Sequence, residues 1–203
     1  MPAAANRTAA LLVLALAATL PTLIPVGQAQ AEVAVAPEKN PPGDIPDSQA
    51  FVTYVSEAGY TLQVPEGWAR TEAAGNVAFV DKLDGLSVTL TPTPAAPPTA
   101  ALTPAALTVE WTNQHYLPAM IQSGRAVKIA SVTAETMPGG PAIRIVYAAN
   151  SDPNPVTTKQ VRLESNRYLF FKGGSLAALD LYAPLGADNV DQWRLMSQSF
   201  AWR

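Results

Sequence analysis

The sequence predicts an α+β domain: an antiparallel sheet covered by two or three helices. Three observations carry this. From Phe51 onward, apolar side chains recur at every second position, with turn residues between the runs. The connections between neighbouring runs are short, which requires antiparallel pairing. Two stretches, one ending near Gln122 and one holding Val190, Trp193, Met196 and Phe200, instead show helical character and spacing.

Tyr60, Leu62 and Val64 point one way in the first clear strand, with Thr61 and Gln63 opposite, and Pro65-Glu66-Gly67 ends it. Val77 to Val80 is apolar on both faces, the pattern of a central strand. Asp84-Gly85 is a hairpin signal, because Gly tolerates positive φ. Leu86, Val88 and Leu90 then alternate with Ser87, Thr89 and Thr91. After a Pro-, Ala- and Thr-rich loop over 92–103, Thr103 caps a helix with Pro104 at its first position. Leu107 and Trp111 share one side, Pro118 kinks or splits the helix, and Gly124 terminates it. The second half reads as a meander. Its runs are Val127 to Thr136; Ile143, Ile145 and Tyr147; Thr157 to Glu164 with Val161 and Leu163 inward; a turn at Ser165-Asn166-Arg167; Tyr168 to Phe171; a turn at Gly173-Gly174; and Ser175 to Tyr182. Asp188 caps the last helix.

The N-terminus reads as an address. Arg7 supplies a minimal positive region, Ala9 to Leu20 is an apolar run, and Pro21 and Pro25 break it. Ala29-Gln30-Ala31 is an A-x-A cleavage site before Glu32, so residues 1–31 form a secretory signal peptide. The alternative is an uncleaved membrane anchor, although the prolines interrupt the run short of a ~20-residue span. Residues 32–49 are proline-rich and expected as a disordered linker, or a surface peptide for a partner, leaving 50–203 as the folded domain.

The 203 residues contain no cysteine, which excludes disulfides, thiol nucleophiles, zinc-thiolate sites and a lipoprotein anchor. The net charge is -3, with 13 basic and 16 acidic residues and no basic block, so nucleic acid and anionic lipid lack their electrostatic footprint. His115 is the only histidine and would have to serve any Ser-His-Asp device; otherwise it is a helix-surface or half-buried residue. Asp81 with Asp84, and Asp188 with Asn189 and Asp191, either hold calcium loosely or are a turn and a helix cap; neither spacing is that of a calcium loop. Gly139-Gly140 and Gly173-Gly174 lack any phosphate-loop frame. Trp68, Trp111, Trp193 and Trp202 either line a cleft or plug the core.

Several local patterns coincide with one family. Gly59 followed by Tyr60 to Trp68 (YTLQVPEGW) resembles the Gly-φ-x-φ-x-(Tyr/Val)-Pro-x-x-Trp opening of PsbP-like domains. Ser87 to Thr91 running into Pro92, then a helix, is similar to the family's next segment. Gly174 to Pro184, then a helix closing on Gln198 to Trp202, looks like its end. The resemblance spans about residues 51–203. It implies an α/β/α sandwich with a central antiparallel sheet flanked by helices, a fold also seen in a eukaryotic Ran-binding transport factor. Plant members are lumenal subunits of photosystem II, and many bacterial ones are exported. The resemblance therefore implies a non-catalytic binding or accessory role but not a partner, which is an unknown envelope protein or small ligand; no cofactor is expected. It transfers no functional residue. A small extracytoplasmic hydrolase using His115 and a tethered envelope protein are the alternatives.

Overall fold

The computed structural model describes residues 32–92 and 105–203. The signal segment with Ala29 and Ala31, and the expected cap at Thr103 and Pro104, lie outside the described residues. In chain order the strands are β1 Phe51–Val55, β2 Tyr60–Pro65, β3 Ala69–Ala73, β4 Asn76–Asp81 and β5 Asp84–Pro92. A continuous helical stretch follows as α1 Val109–Trp111, a π-helical turn Thr112–Tyr116 and α2 Leu117–Ser123. Then come β6 Lys128–Met137, β7 Gly140–Asn150, β8 Arg162–Lys172, β9 Ser175–Pro184, α3 Val190–Gln198 and β10 Ala201–Trp202.

The protein is mostly antiparallel strands with few helices, and it has two sheets where the sequence suggested one. Seven strands lie in the order β3-β4-β5-β9-β8-β7-β6, and three in the order β1-β2-β10. The β6-to-β9 meander folds back beside β5, so β9 is central. One face of the large sheet packs Leu86, Val88, Phe170, Leu179 and Leu181 against Tyr60 and Leu62 of the small sheet and Met196 of α3. Phe200 stacks between Tyr60 at 5.6 Å and Phe170 at 4.4 Å between ring centroids. Each such ring pair adds about 0.5–1.5 kcal/mol beyond the area it buries. The other face carries only the short helical stretch, with Leu107, Leu117 and Met120 over Ile143, Ile145, Leu169, Leu176 and Ala178. The outer layer on the first face is thus shared by a helix and a sheet, so the expected sandwich of helix layers holds only in part.

Several local expectations are corrected. The β4–β5 turn is Lys82-Leu83, with Lys82 at φ 52, and Asp84-Gly85 already belongs to β5. Gly85 is required there for a different reason: a Cβ would meet the Tyr182 ring at 2.0 Å. Val77 to Val80 buries one face, Val77 and Phe79, because β4 lies next to the β3 edge rather than at the centre. The first helix starts at the Thr108 cap, whose hydroxyl accepts from Trp111 N–H at 3.1 Å. Pro118 does not split it; the π turn before it absorbs the missing donor. Gly124 does end it, as expected, but with extended backbone, and Ala126 takes the left-handed position. Asn189, not Asp188, holds the N-cap position of the last helix, without a capping side-chain hydrogen bond, and Val190 faces solvent.

Two corrections matter for function. Thr157 to Glu164 and Tyr168 to Phe171 read as separate strands around a Ser165-Asn166-Arg167 turn; instead 157–161 is loop, and one unbroken strand runs from Arg162 to Lys172 through the expected turn. The three polar residues stay in the ladder because each finds a position or partner across it: Ser165 is buried opposite Tyr147 and Tyr182, Asn166 accepts from Arg144 at 3.1 Å, and Arg167 meets Asp180. Residues 32–49, expected as a disordered linker, are instead laid across the domain as a strap. Glu32 accepts from Arg125 and Asn150, each at 3.1 Å, and also from Gln160. These bonds, Gln160 foremost, hold the Glu32 carboxyl below its ordinary pKa. Further along, Ile45 is buried and donates its N–H to Asn189 at 2.6 Å, while Asn189 donates to Gly43 at 2.7 Å. Proline-rich composition lowered the expected burial; these side-chain-to-backbone bonds restore order by satisfying strap backbone groups.

Candidate functional site

The strand registers build a polar floor on the sparsely covered face of the large sheet. Under the helical stretch that face is apolar. Along β7, β8 and β9, in-facing positions turn polar: Tyr147, Arg167 with Ser165, and Asp180 with Tyr182. Ile145, Arg167, Asp180 and Ser87 stand in one row across four strands. Above this floor lies a groove of about 870 Å³, bounded by the end of α2, the 151–161 loop and the β4–β5 turn.

The floor is one connected network. Arg167 Nη2 donates to Asp180 Oδ2 at 2.6 Å and to the Tyr147 hydroxyl at 3.1 Å, and Nη1 donates to the Tyr116 hydroxyl at 3.3 Å. Tyr147 in turn donates to Asp180 Oδ2 at 2.7 Å. Burial works against the Arg167 cation, but the Asp180 carboxylate with the Tyr147 and Tyr116 hydroxyls together outweigh it and hold the guanidinium firmly charged. Burial, then the negative charge of Asp180, pushes the Tyr147 hydroxyl up; burial does the same to Tyr116 and Tyr182. These hydroxyls remain protonated donors rather than bases. Arg167 Nε and Asp180 Oδ1 are buried without a hydrogen-bond partner. A donor and an acceptor are thus left over at the base of a groove, where an unmade bond is costly.

The residues singled out from sequence fall elsewhere. His115 is exposed and lies against Trp111, with ring centroids 5.7 Å apart; its neighbour Tyr116 is the one that turns inward to Arg167. Asn189 is committed to the strap, Asp188 N–H donates to Asp44 Oδ1 at 2.8 Å, and Asp191 pairs with Arg194 at 3.0 Å. Among the described residues, no group of three or more His, Cys, Asp or Glu could hold a metal ion. Trp193 is buried in the core, Trp68 and Trp202 pack at its edge, and Trp111 borders the second core. Sequence reading missed Arg167, Asp180 and Tyr147. Its one available signal was Asp180 itself, a charge inside the apolar run Leu176 to Leu181.

No family model matches the chain, and no curated protein does. Among solved structures it is similar to cyanobacterial PsbP (CyanoP) from Synechocystis sp., at 17% identity and a TM-score of 0.51, covering 79% of this chain and 98% of that one. It is also similar to the Ran-binding protein Mog1p of Saccharomyces cerevisiae, at 10% identity and a TM-score of 0.47, covering 76% and 96%. LpqN of Mycobacterium tuberculosis, described as involved in cell envelope biogenesis, aligns at 13% identity and a TM-score of 0.42, covering 76% and 91%. The expected PsbP-like resemblance is thereby present in three dimensions: the chain has a PsbP-like fold. Among the described residues, no helix is long and apolar enough to cross a membrane.

Proposed function

We propose that the protein is an exported, non-catalytic binding or accessory protein whose ligand occupies the groove over Arg167 and Asp180. The observation that carries this reading is the pairing of a groove of about 870 Å³ with a buried charge network that leaves one donor and one acceptor unsatisfied. The floor pair is internally neutral, and the rim carries both signs, with Lys82 and Lys159 beside Glu38 and Asp152. Such a surface suits a neutral polar ligand rich in hydroxyl or amide groups better than a polyanion. The network's hydroxyls are held protonated and the single histidine is exposed against Trp111, which favours holding over turnover. Export rests on the A-x-A site before Glu32, which would make Glu32 the first residue of the mature chain.

Native mass spectrometry of the protein isolated from its own envelope fraction tests the groove. A retained small molecule, lost from Asp180→Asn, is the expected result. Activity profiling that found turnover abolished by His115→Ala would overturn the non-catalytic reading in favour of the hydrolase. N-terminal sequencing of the same sample should return Glu32; retention of residues 1–31 would mean a tether.

A further inference from the structure

A second site lies on the other side of the β4–β5 turn, where the strap crosses it. Asp84 opens β5 with only 6% of its surface exposed, and its Oδ1 is buried without a hydrogen-bond partner. Gly43 of the strap passes directly over it: a Cβ there would sit 3.0 Å from Asp84 Oδ1 and 2.8 Å from Pro184. Asp84 and Gly43 share the wall of a cavity of about 260 Å³ with Trp68, Ile45, Asp44 and Asp81. With one oxygen cut off from water and from any protein donor, the ionised carboxylate is under-solvated and calls for a counter-ion at the cavity it lines. The nearest side-chain cation does not serve. Lys82 is exposed, and its ammonium reaches Asp81 at 3.9 Å.

The composition of the wall selects the kind of cation. A divalent metal wants six or more oxygen ligands. Here Asp44 and Asp81 are exposed, Asp44 Oδ1 already accepts from Asp188, and no metal-competent group occurs among the described residues. Trp68, Ile45 and the strap prolines Pro42 and Pro46 offer apolar and π surface instead. That combination, one buried carboxylate facing an indole and aliphatic walls, matches an ion with a charged head and a hydrocarbon body. We propose that this cavity binds a small alkylammonium ion, its ammonium on Asp84 and its carbon chain against Trp68. This site goes beyond the groove reading and stands if that reading fails.

The titratable and charged groups facing Asp84 are Asp44 from the strap, Asp81 from the end of β4, Lys82 from the turn, and the Tyr182 hydroxyl from β9. Burial, then Asp81 and Asp44, push the Asp84 carboxyl up to about 7, and Lys82 opposes them weakly. An ammonium would bind the ionised form, so its affinity should rise about tenfold between pH 6 and pH 8.

The test is an NMR titration of the purified protein with n-butylammonium, using n-butanol as the neutral counterpart and an acetylated, amidated lysine peptide as the second source of the same group. Saturable shifts of the Trp68 indole N–H and the Gly85 amide with n-butylammonium, absent with n-butanol, are expected. Asp84→Asn should weaken binding at least tenfold and Trp68→Leu several-fold. Peptide affinity at or above that of the free amine identifies a partner's lysine as the natural occupant; weaker affinity identifies a free amine. Equal shifts with n-butanol, unchanged affinity in Asp84→Asn, or affinity independent of pH between 6 and 8 would each overturn the proposal.

Discussion

Replacing Arg167 by Leu removes three donated hydrogen bonds and leaves the Asp180 carboxylate buried with only the Tyr147 hydroxyl as partner. Breaking a fully buried ion pair from one side costs about 3–5 kcal/mol. The side chains of Arg167 and Asp180 keep 21% and 12% exposure, so water relieves part of that penalty and about 2–3 kcal/mol is expected. Asp180→Leu strands the guanidinium instead and should cost about the same. The double replacement behaves differently. It places two apolar side chains beside Ile145 and Ala178, where they continue the neighbouring core, and leaves only the Tyr116 and Tyr147 hydroxyls short of a partner. At about 1 kcal/mol per hydroxyl it should cost about 1–2 kcal/mol, less than either single change. The coupling energy is then about 3 kcal/mol, at the upper end for contacting residues. Urea unfolding at pH 7, with unchanged m-values as the control for two-state behaviour, reads all four proteins. A double variant that loses the sum of the singles, about 5 kcal/mol, would refute the connected network and with it the floor of the groove.

Asp84 sets a pH signature. Its folded pKa is raised to about 7 from an ordinary 3.8, so the native state favours the protonated carboxyl: the contribution is fully present below about pH 4 and is lost as pH rises to 7. Asp84→Asn should therefore stabilise the protein above pH 7, by up to about 4 kcal/mol, with the gain vanishing below pH 4 in denaturant midpoints measured across that range. Ile45→Ala should cost about 2–4 kcal/mol in urea unfolding, since Ile45 is 5% exposed within the main core; a change below about 0.5 kcal/mol would mean the strap is not docked. Gly85→Ala should cost about 1–3 kcal/mol by displacing the Tyr182 ring, and Tyr182→Ala in the same chain should recover most of it, as thermal midpoints would show.

The sheet was legible because its strands bury one face and wet the other. Tyr60, Leu62 and Val64, or Leu86 and Val88, alternate against residues at least partly open to solvent, and period-two reading found them. The meander was legible because short connections such as Gly173-Gly174 leave no other pairing. The small sheet was not, because β10 is two residues long and joins β2 across 140 positions of chain, a pairing no local pattern announces. The strap was misread for a related reason. Its order comes from Asn189, Asn150 and Arg125, all far away in sequence, while its own residues carry only proline and few large apolar groups.

The same logic explains why the candidate site hid in a predicted turn. Ser, Asn and Arg mark turns because their polar groups ordinarily need water or nearby backbone, and a strand interior denies them both. Ser165-Asn166-Arg167 sits in a strand interior only because other strands supply what water would: Asp180 faces Arg167, and Arg144 reaches Asn166. A local rule fails there because a long-range polar network overrides it, and such networks are retained where they do something that an apolar core cannot. The second site follows the same pattern. Asp84-Gly85 has the composition of a turn, yet the turn is Lys82-Leu83 and Asp84 is carried into the wall of a cavity. Both misread segments put a charged side chain onto the interior of the large sheet, and in each a polar atom is left without a protein partner. These two misreadings thus fall where the chain holds a charge in its interior against the pull of water, and the polar atoms left there without a protein partner are bonds that a ligand has to complete.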